Sequence, residues 1–311
     1  MKDIVLAFDT SNYTTSCAYF NGAEGDNSGR LLDVEPGKLG LRQSEALFSH
    51  VRRLPEIFAG LKAEGRIAAV GASTKPRETE DSYMPCFLAG ASQAQVLADA
   101  LGVPFYAFSH QQGHIAAAAW SAGRLDLLER PHFAWHLSGG TTELLLVRPQ
   151  GVAVVCEIIA ATSDVSAGQL IDRTGQILGL RFPAGKELDV LAGKAVKKEK
   201  YDPKLDGLNF SLSGAEHKMK QLAASGAEPE ETAYFALASV ISAVHRVTER
   251  AIAKYGDMPV LYSGGVASNS LLRELTHDGI FAAPRFSTDN AMGVAILTWR
   301  AAAADGRLRN G

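Results

Sequence analysis

Asp3-Ile-Val-Leu-Ala-Phe-Asp-Thr-Ser-Asn-Tyr-Thr-Thr-Ser-Cys-Ala-Tyr-Phe20 reads as a strand, a polar loop and a second strand. Asp3 to Phe8 holds an apolar run of the length a buried strand needs, Asp9 to Thr15 is a polar turn, and Ser16 to Phe20 resumes the strand. The same grammar returns nearly half-way along the chain, as His132-Phe-Ala-Trp-His-Leu137, Ser138-Gly-Gly-Thr-Thr142 and Glu143-Leu-Leu-Leu-Val147. A unit repeated at that interval implies two similar domains.

Working outward, apolar residues at helical spacing (Leu47, Val51, Leu54, Phe58, Leu61) predict a helix over Ser44 to Leu61. Ile67 to Val70 is a strand, and Phe87 to Leu101 an Ala-rich helix. In the second half Val165 to Leu178 and Glu187 to Ala195 are helices flanking the turn Phe182-Pro-Ala-Gly185, and Glu230 to Tyr255 is a long helix. Pro259 to Tyr262 is a strand whose loop, Ser263-Gly-Gly-Val-Ala-Ser-Asn269, opens a helix through Leu275, and Asn290 to Ala304 supplies the last helix. Strands alternating with helices predict an α/β protein with a largely parallel sheet.

The chain has 311 residues, 46% hydrophobic and 21% charged, enough to build a full core. A net charge of −3 gives no global footprint for nucleic acid, so such a partner would be met by a local patch. The most hydrophilic interval, Lys194 to Asp206, carries Lys194, Lys197, Lys198, Lys200 and Lys204; it is a solvated loop or a polyanion contact. Cys17, Cys86 and Cys156, odd in number and widely spaced, read as buried thiols in a reducing compartment. No segment has the length and apolarity of a membrane span, and the first apolar run is too short, with too early a charge, for a secretory signal, so a cytoplasmic location is expected.

Chemistry concentrates in a few places. In Ser109-His-Gln-Gln-Gly-His-Ile115, after the apolar segment Val103 to Phe108, two histidines four apart lie on one helix face and can hold a metal; the alternative is two surface histidines on an Ala-rich helix. A third ligand is needed, and Asp289 in Ser287-Thr-Asp-Asn290 is the candidate, Asp-Asn before a helix being equally an N-cap signal. Ser138-Gly139-Gly140 and Ser263-Gly264-Gly265 offer backbone N–H groups to an anion, and two such loops in matching halves suggest a nucleotide. Asn269 is a ligand contact or a helix cap, and Asp172 a ribose acceptor or a surface partner of Arg173 or Arg181.

These motifs, taken in order, resemble the TsaD family, the tRNA threonylcarbamoyladenosine transferases formerly called O-sialoglycoprotein endopeptidases. Phe8-Asp-Thr-Ser11, Ser109 to His114, His136-Leu-Ser-Gly-Gly140, Gly168 to Thr174 with Pro183-Ala-Gly185, Leu208-Asn-Phe-Ser-Leu-Ser-Gly214, Ser263 to Asn269 and Ser287 to Asn290 carry the resemblance. It implies an actin-like ATPase (ASKHA, duplicated ribonuclease-H-like) fold: an N-terminal lobe over 1–130 and a C-terminal lobe over 131–311 around a nucleotide cleft, the last helix packing back on the first lobe. It implies one divalent metal, iron or zinc, on His110, His114 and Asp289, with Asp9, His110 and His114 as the catalytic set. It implies an adenine nucleotide, threonylcarbamoyl-AMP or ATP, held by His136, Leu137, Ser138, Gly139, Gly140, Asp172, Gly185, Asp189 and Asn269. The implied reaction passes a threonylcarbamoyl group from its AMP ester to the exocyclic amine of the adenosine beside the tRNA anticodon. The implied partners are tRNA as acceptor and companion proteins of that pathway, a paralogous actin-like subunit among them.

Departures mark a divergent paralogue. The family's Glu-Thr-Ser-Cys-Asp-Glu-Thr loop is here Asp9-Thr-Ser-Asn-Tyr-Thr-Thr15, with Tyr13 and Thr14 in place of an acidic pair and Asp9 the remaining candidate proton acceptor. Its Ser-Gly-Gly-His-Thr is here Ser138-Gly-Gly-Thr-Thr142, and its Gly-rich loop before the Ala-rich helix is Thr74-Lys-Pro-Arg-Glu-Thr79 with Ser82-Tyr-Met-Pro85. The alternative function is a weakened nucleotide- and metal-binding paralogue acting as an assembly partner. Metalloproteolysis is disfavoured because Gln111, where a general-base Glu would stand, cannot take a proton from water. Sugar-kinase phosphotransfer is disfavoured by the His-rich metal set.

Overall fold

The computed structural model describes residues 2–11, 13–33 and 41–309, so Asn12 of the first loop lies outside the described residues. In chain order the elements are β1 (Asp3–Asp9), β2 (Thr14–Phe20), β3 (Gly25–Leu31), α1 (Gln43–Ala59), β4 (Arg66–Lys75), α2 (Phe87–Leu101), β5 (Phe105–Ser109), α3 (His110–Ser121), β6 (His132–Leu137), β7 (Thr142–Gln150) and β8 (Ala153–Ala161). There follow α4 (Ala167–Ile177), α5 (Gly185–Ala192), β9 (Leu205–Asp206), β10 (Asn209–Phe210), α6 (Ser213–Ala224), α7 (Pro229–Tyr255), β11 (Val260–Ser263), α8 (Ser270–Leu275), β12 (Ile280–Phe281) and α9 (Met292–Ala304).

Two five-stranded sheets share one topology. The first runs β3-β2-β1-β4-β5 and the second, in the opposite reading, β8-β7-β6-β11-β12. Each begins with a hairpin, β1 antiparallel to β2 and β6 antiparallel to β7, and each then adds a parallel strand beside the first, β4 on β1 and β11 on β6. The expectation of a largely parallel sheet is therefore corrected to two mixed sheets. The short loops after β1 and β6 turn the chain straight back, which only an antiparallel pair allows. The edge strand β3, Gly-Asp-Asn-Ser-Gly-Arg-Leu, escaped sequence reading because it is polar and mostly solvent-facing. It forms because β2 offers it a full antiparallel ladder from Thr14 to Phe20.

The chain divides into two compact units. Unit 1 is Met1–Arg130, Arg148–Cys156 and Thr288–Gly311; unit 2 is Pro131–Val147 and Glu157–Ser287. In unit 1 the core of Ile4, Leu6, Phe8, Val70 and Ala72 lies under α1 and α2, packed by Leu54, Ala94 and Ala98. Helix α9 sits against β4 so closely that a Cβ on Gly71 would reach the Thr298 hydroxyl at 1.9 Å. In unit 2 Phe133, Trp135, Leu144 and Tyr262 pack against the buried face of α7. Cys17 and Cys86 are buried, whereas Cys156 is only half-buried, a correction to the expectation for that thiol. Burial pushes the Cys17 thiol up to about 12, which keeps it unreactive. The segment 194–206 is mostly exposed, with Lys200 paired to Asp202 at 3.1 Å and Lys197 to Glu231 at 3.7 Å.

Candidate metal centre and glycine loops

The first turn of α3 is fixed before its histidines are considered. Ser109 accepts from Gln112 N–H at 3.3 Å while the Gln112 amide oxygen accepts from Ser109 N–H at 2.9 Å, a reciprocal cap. The Gln112 amide nitrogen donates to Val154 carbonyl at 2.8 Å, anchoring the turn. His110 opens the helix and His114 follows one turn later, so both rings share a face. Between them Gly113 meets Gly293 of α9, where a Cβ on Gly293 would fall 1.7 Å from the Gly113 carbonyl oxygen. That backbone contact draws the start of α9 onto the histidine turn.

Just ahead of α9 the capping and ligating jobs are divided. Asn290 accepts from Met292 N–H at 3.0 Å, and Asn27 accepts from Ala291 N–H at 2.8 Å. Asp289 is thereby left to face the histidines: its Oδ1 lies 3.2 Å from His114 Nε2 and 3.5 Å from His110 Nε2, and the two Nε2 atoms are 2.7 Å apart. Three atoms so spaced lie on a circle of about 1.8 Å radius, inside the ~2.0–2.2 Å reach of zinc to imidazole and carboxylate. A single ion would therefore be within reach of all three residues. Two imidazoles and a carboxylate suit a borderline cation such as iron or zinc and leave coordination positions open.

The loop between β1 and β2 surrounds this triad. Asp9, 1% exposed, places Oδ2 at 2.7 Å from His110 Nδ1 and accepts Ser11 N–H on Oδ1 at 2.9 Å. The Thr14 hydroxyl donates to Asp289 Oδ2 at 3.3 Å. Phe87 meets the His110 ring edge-on, centroids 6.2 Å apart. Burial opposes charge on His110, Asp9 and Asp289, but their mutual attraction outweighs it. Burial alone would lower the His110 pKa, yet Asp9 and Asp289 raise it to about 10. Burial would raise the pKa of Asp9 and Asp289, yet His110 holds both below the ordinary carboxylate range, with His114 adding its hydrogen bond at Asp289. Without metal, a proton on His110 thus takes the cation's part.

In unit 2 the expected nucleotide residues sit on the second hairpin and the helices beside it. His136 and Leu137 end β6, half-buried and buried respectively. The Ser138-Gly139-Gly140 loop closes through Ser138 N–H to Thr141 carbonyl at 2.8 Å and Thr141 N–H to Ser138 Oγ at 3.0 Å. Its carbonyls are tied back by the start of α4, Ser166 Oγ donating to Gly139 at 2.7 Å and Gly168 N–H to Ser138 at 3.2 Å. Gly168 permits that approach, since a Cβ there would lie 2.5 Å from Gly139 Cα. Gly264, at φ +91°, likewise lets β11 pass Leu137, whose carbonyl oxygen would be 2.2 Å from a Cβ.

Asp172 accepts Ala184 N–H at 2.9 Å, while Arg173 pairs with Glu216 at 2.8 Å and Arg181 with Glu187 at 3.4 Å, so neither arginine is its partner here. Asp172 and Ala184 line an open pocket of about 530 Å³ beside Phe182. Gly185 begins α5, on which Asp189 stands. Asp189 Oδ1 accepts from the Asn269 side-chain amide at 2.7 Å and from Ser270 Oγ at 2.9 Å, and its Oδ2 from Ser270 N–H at 2.8 Å. Asn269 in turn caps α8, accepting Leu272 N–H at 2.9 Å, so the cap alternative is realised. Sequence reading named Thr14 only as a departure from the family's loop and gave no role to Ser166 or to the glycine contacts. Gly113, lodged between the two histidines, offered a signal.

Comparison with known proteins bears on the whole arrangement. The model of the family described as tRNA N6-adenosine threonylcarbamoyltransferase, TsaD, matches residues 83–296. The chain is 31% identical to the enzyme of that name from Thermus thermophilus, covering 81% of this chain and 77% of the relative. It is 30% identical to the Streptococcus pneumoniae protein of the same name over 96% of this chain and 92% of that one. Among solved structures it is similar to component A of the (R)-2-hydroxyglutaryl-CoA dehydratase of Acidaminococcus fermentans (TM-score 0.57, 18% identity, 96% of this chain and 99% of that chain). Full-length HypF in its phosphate- and nucleotide-bound form is also similar (TM-score 0.61, 14% identity, 99% of this chain and 56% of that chain). With two sheets of one topology, these likenesses establish the α/β two-lobe ASKHA fold.

Proposed function

The chain belongs to the TsaD family of tRNA-modifying transferases, and from that premise we propose that it transfers a threonylcarbamoyl group from threonylcarbamoyl-AMP to the exocyclic amine of the adenosine beside the tRNA anticodon. The observation that carries this reading is the convergence of His110, His114 and Asp289 within 4.8 Å, in a family of this activity. In this reading the unit of Met1–Arg130, Arg148–Cys156 and Thr288–Gly311 is the metal lobe, and the unit of Pro131–Val147 and Glu157–Ser287 the nucleotide lobe. Iron or zinc would be held by His110, His114 and Asp289. When bound, it supplies a Lewis acid that polarises the carbamoyl donor.

The chain's own groups do the remaining work. The Ser138-Gly139-Gly140 loop, its carbonyls tied back to α4, is suited to meet the leaving phosphate with N–H groups. Asp172 beside the open pocket is the acceptor for ribose hydroxyls, and His136, Leu137 and Gly185 shape the approach. Asp189 and Asn269 act by holding each other and the α8 terminus in place. The exposed lysines of 194–204 are the local patch for tRNA in an otherwise acidic chain. Exposed Phe48 and Val51 on α1 with Leu88 and Val96 on α2 favour a companion protein, the paralogous actin-like subunit being the leading candidate. Among the described residues no helix is long and apolar enough to cross a membrane.

A second reading, a catalytically weakened partner protein, is favoured by the first loop. Asp9 has both oxygens engaged and Thr14 binds Asp289, so no free carboxylate replaces the family's acidic pair among the described residues. Reconstitution with threonine, bicarbonate, ATP, the adenylate-forming enzyme and tRNA lacking the modification decides between them. Threonylcarbamoyladenosine detected by nucleoside mass spectrometry supports the transferase. Its absence, with nucleotide and metal still bound, supports the partner protein.

A further inference from the structure

We infer that the loop joining β1 to β2 is the outer shell of the metal centre, with Asp9 deciding which His110 nitrogen can ligate and Thr14 holding the Asp289 carboxylate. The inference rests on His110, His114 and Asp289 being the ligands. It assigns Asp9 as a positioning residue instead of a proton acceptor, and gives Thr14 a purpose of its own.

Asp9 cannot turn away from His110. One oxygen is fixed by Ser11 N–H at 2.9 Å, and the other lies 2.7 Å from His110 Nδ1. An ionised carboxylate has no hydrogen to give, so Nδ1 carries the proton and donates it. In the neutral ring that can ligate, the lone pair is then on Nε2, the atom that faces His114 Nε2 at 2.7 Å and Asp289 Oδ1 at 3.5 Å. Imidazole ligands depend on this outer partner for ring orientation and basicity. An asparagine at position 9 would keep the Ser11 bond through its oxygen and turn its NH₂ toward Nδ1. Accepting that bond would move the ring proton to Nε2 and block coordination.

Thr14 completes the shell from the other side. It is buried, and its backbone is pinned by Thr14 N–H to Ser11 carbonyl at 2.9 Å. Its hydroxyl takes Asp289 Oδ2 at 3.3 Å, leaving Oδ1 toward both imidazoles. A carboxylate at position 14 would set a second negative charge against Asp289. A hydroxyl donates instead and holds the ligand to one oxygen.

Co²⁺ titration of the full-length protein, followed by visible absorption and checked by Zn²⁺ competition, tests this. Asp9→Asn is expected to weaken Co²⁺ binding by about 10–100-fold and Thr14→Val by about tenfold, with altered absorption bands, while Thr14→Ser binds as the wild type does. Circular dichroism identifies any variant that has unfolded, and the near-isosteric Val and Ser pair keeps the test valid if Asp9→Asn fails to fold. Wild-type affinity and spectrum in Thr14→Val and in folded Asp9→Asn overturn the inference while the ligand set stands. Co²⁺ uptake by wild type no greater than by His114→Ala overturns the ligand set, and the outer shell with it.

Discussion

The loop between β1 and β2 and the loop between β6 and β7 occupy the same place in the same topology, yet they carry opposite kinds of groups. The first carries Asp9 and Thr14 against two histidines and an aspartate. The second is Ser138-Gly139-Gly140, whose glycines open onto free space and whose carbonyls are drawn back by Ser166 and Gly168. The difference shows how a duplicated scaffold can diversify. A hairpin loop after a buried strand is held rigidly by its sheet, so carboxylate and hydroxyl side chains placed on it suit a cation, and side chains removed from it leave N–H groups that suit an anion. In both units glycine permits the close contact: Gly113 with Gly293 lets α3 and α9 touch in one, and Gly168 lets α4 meet the loop in the other.

The sharpest way to break this contrast is to remove His110 and His114 together. Elemental analysis of the purified double alanine variant is expected to find no iron or zinc, with adenine-nucleotide binding retained. Unchanged metal content would end the assignment of a cation site to the first unit.

Next come the glycines. Gly293→Ala drives a Cβ into the Gly113 carbonyl and Gly168→Ala drives one into Gly139 Cα, both backbone atoms. Each overpacking is expected to cost about 1–3 kcal/mol and to lower the thermal midpoint by several degrees. Gly293→Ala should weaken metal binding and spare nucleotide, and Gly168→Ala the reverse. Calorimetry showing both ligands weakened equally by each variant would dissolve the division.

Proton concentration probes the first loop alone. His110, raised from 6.5 to about 10, contributes stability to the metal-free protein that is full below 6.5 and lost as the pH rises through about 10. Asp9 and Asp289, held low, contribute stability above their ordinary values and lose it as the pH falls. The thermal midpoint of the metal-free protein should therefore be highest between the ordinary carboxylate range and about 6.5, falling from there to about 10 and falling again in acid. Metal must displace the His110 proton, so its affinity should weaken by about tenfold for each pH unit below about 10. A pH-independent affinity would mean that the imidazolium does not form.

The smallest effect belongs to the second unit's periphery. Asp172→Ala is expected to weaken adenine-nucleotide binding by about tenfold, from the loss of charged hydrogen bonds to ribose. Lys197→Ala, an exposed residue 3.7 Å from Glu231, should leave it unchanged. Equal affinities by calorimetry would remove Asp172 from the pocket.

Much of the architecture could be read in advance because buried strands and amphipathic helices write their burial into the order of residues. Asp3 to Phe8, Phe87 to Leu101 and the long helix ending at Tyr255 are of that kind. The HxxxH face was legible for the same reason, since helical periodicity alone aligns His110 with His114. Strand direction was not, because pairing depends on the turn joining two strands and on the neighbour each one finds. That Asp189 and Asn269 hydrogen-bond each other was not legible either, because 80 residues separate them in the chain.

The order of residues therefore determined the repeated strand, loop and strand units, the histidine pair and a chain suited to two α/β lobes. Only the tertiary structure decided that Asp289 faces that pair while Asn290 takes the cap, and that Asp9 grips His110. Periodicity reports which face of an element is buried and nothing about what it is buried against. That choice was made by two glycines, 180 positions apart, whose missing side chains let two helix backbones touch.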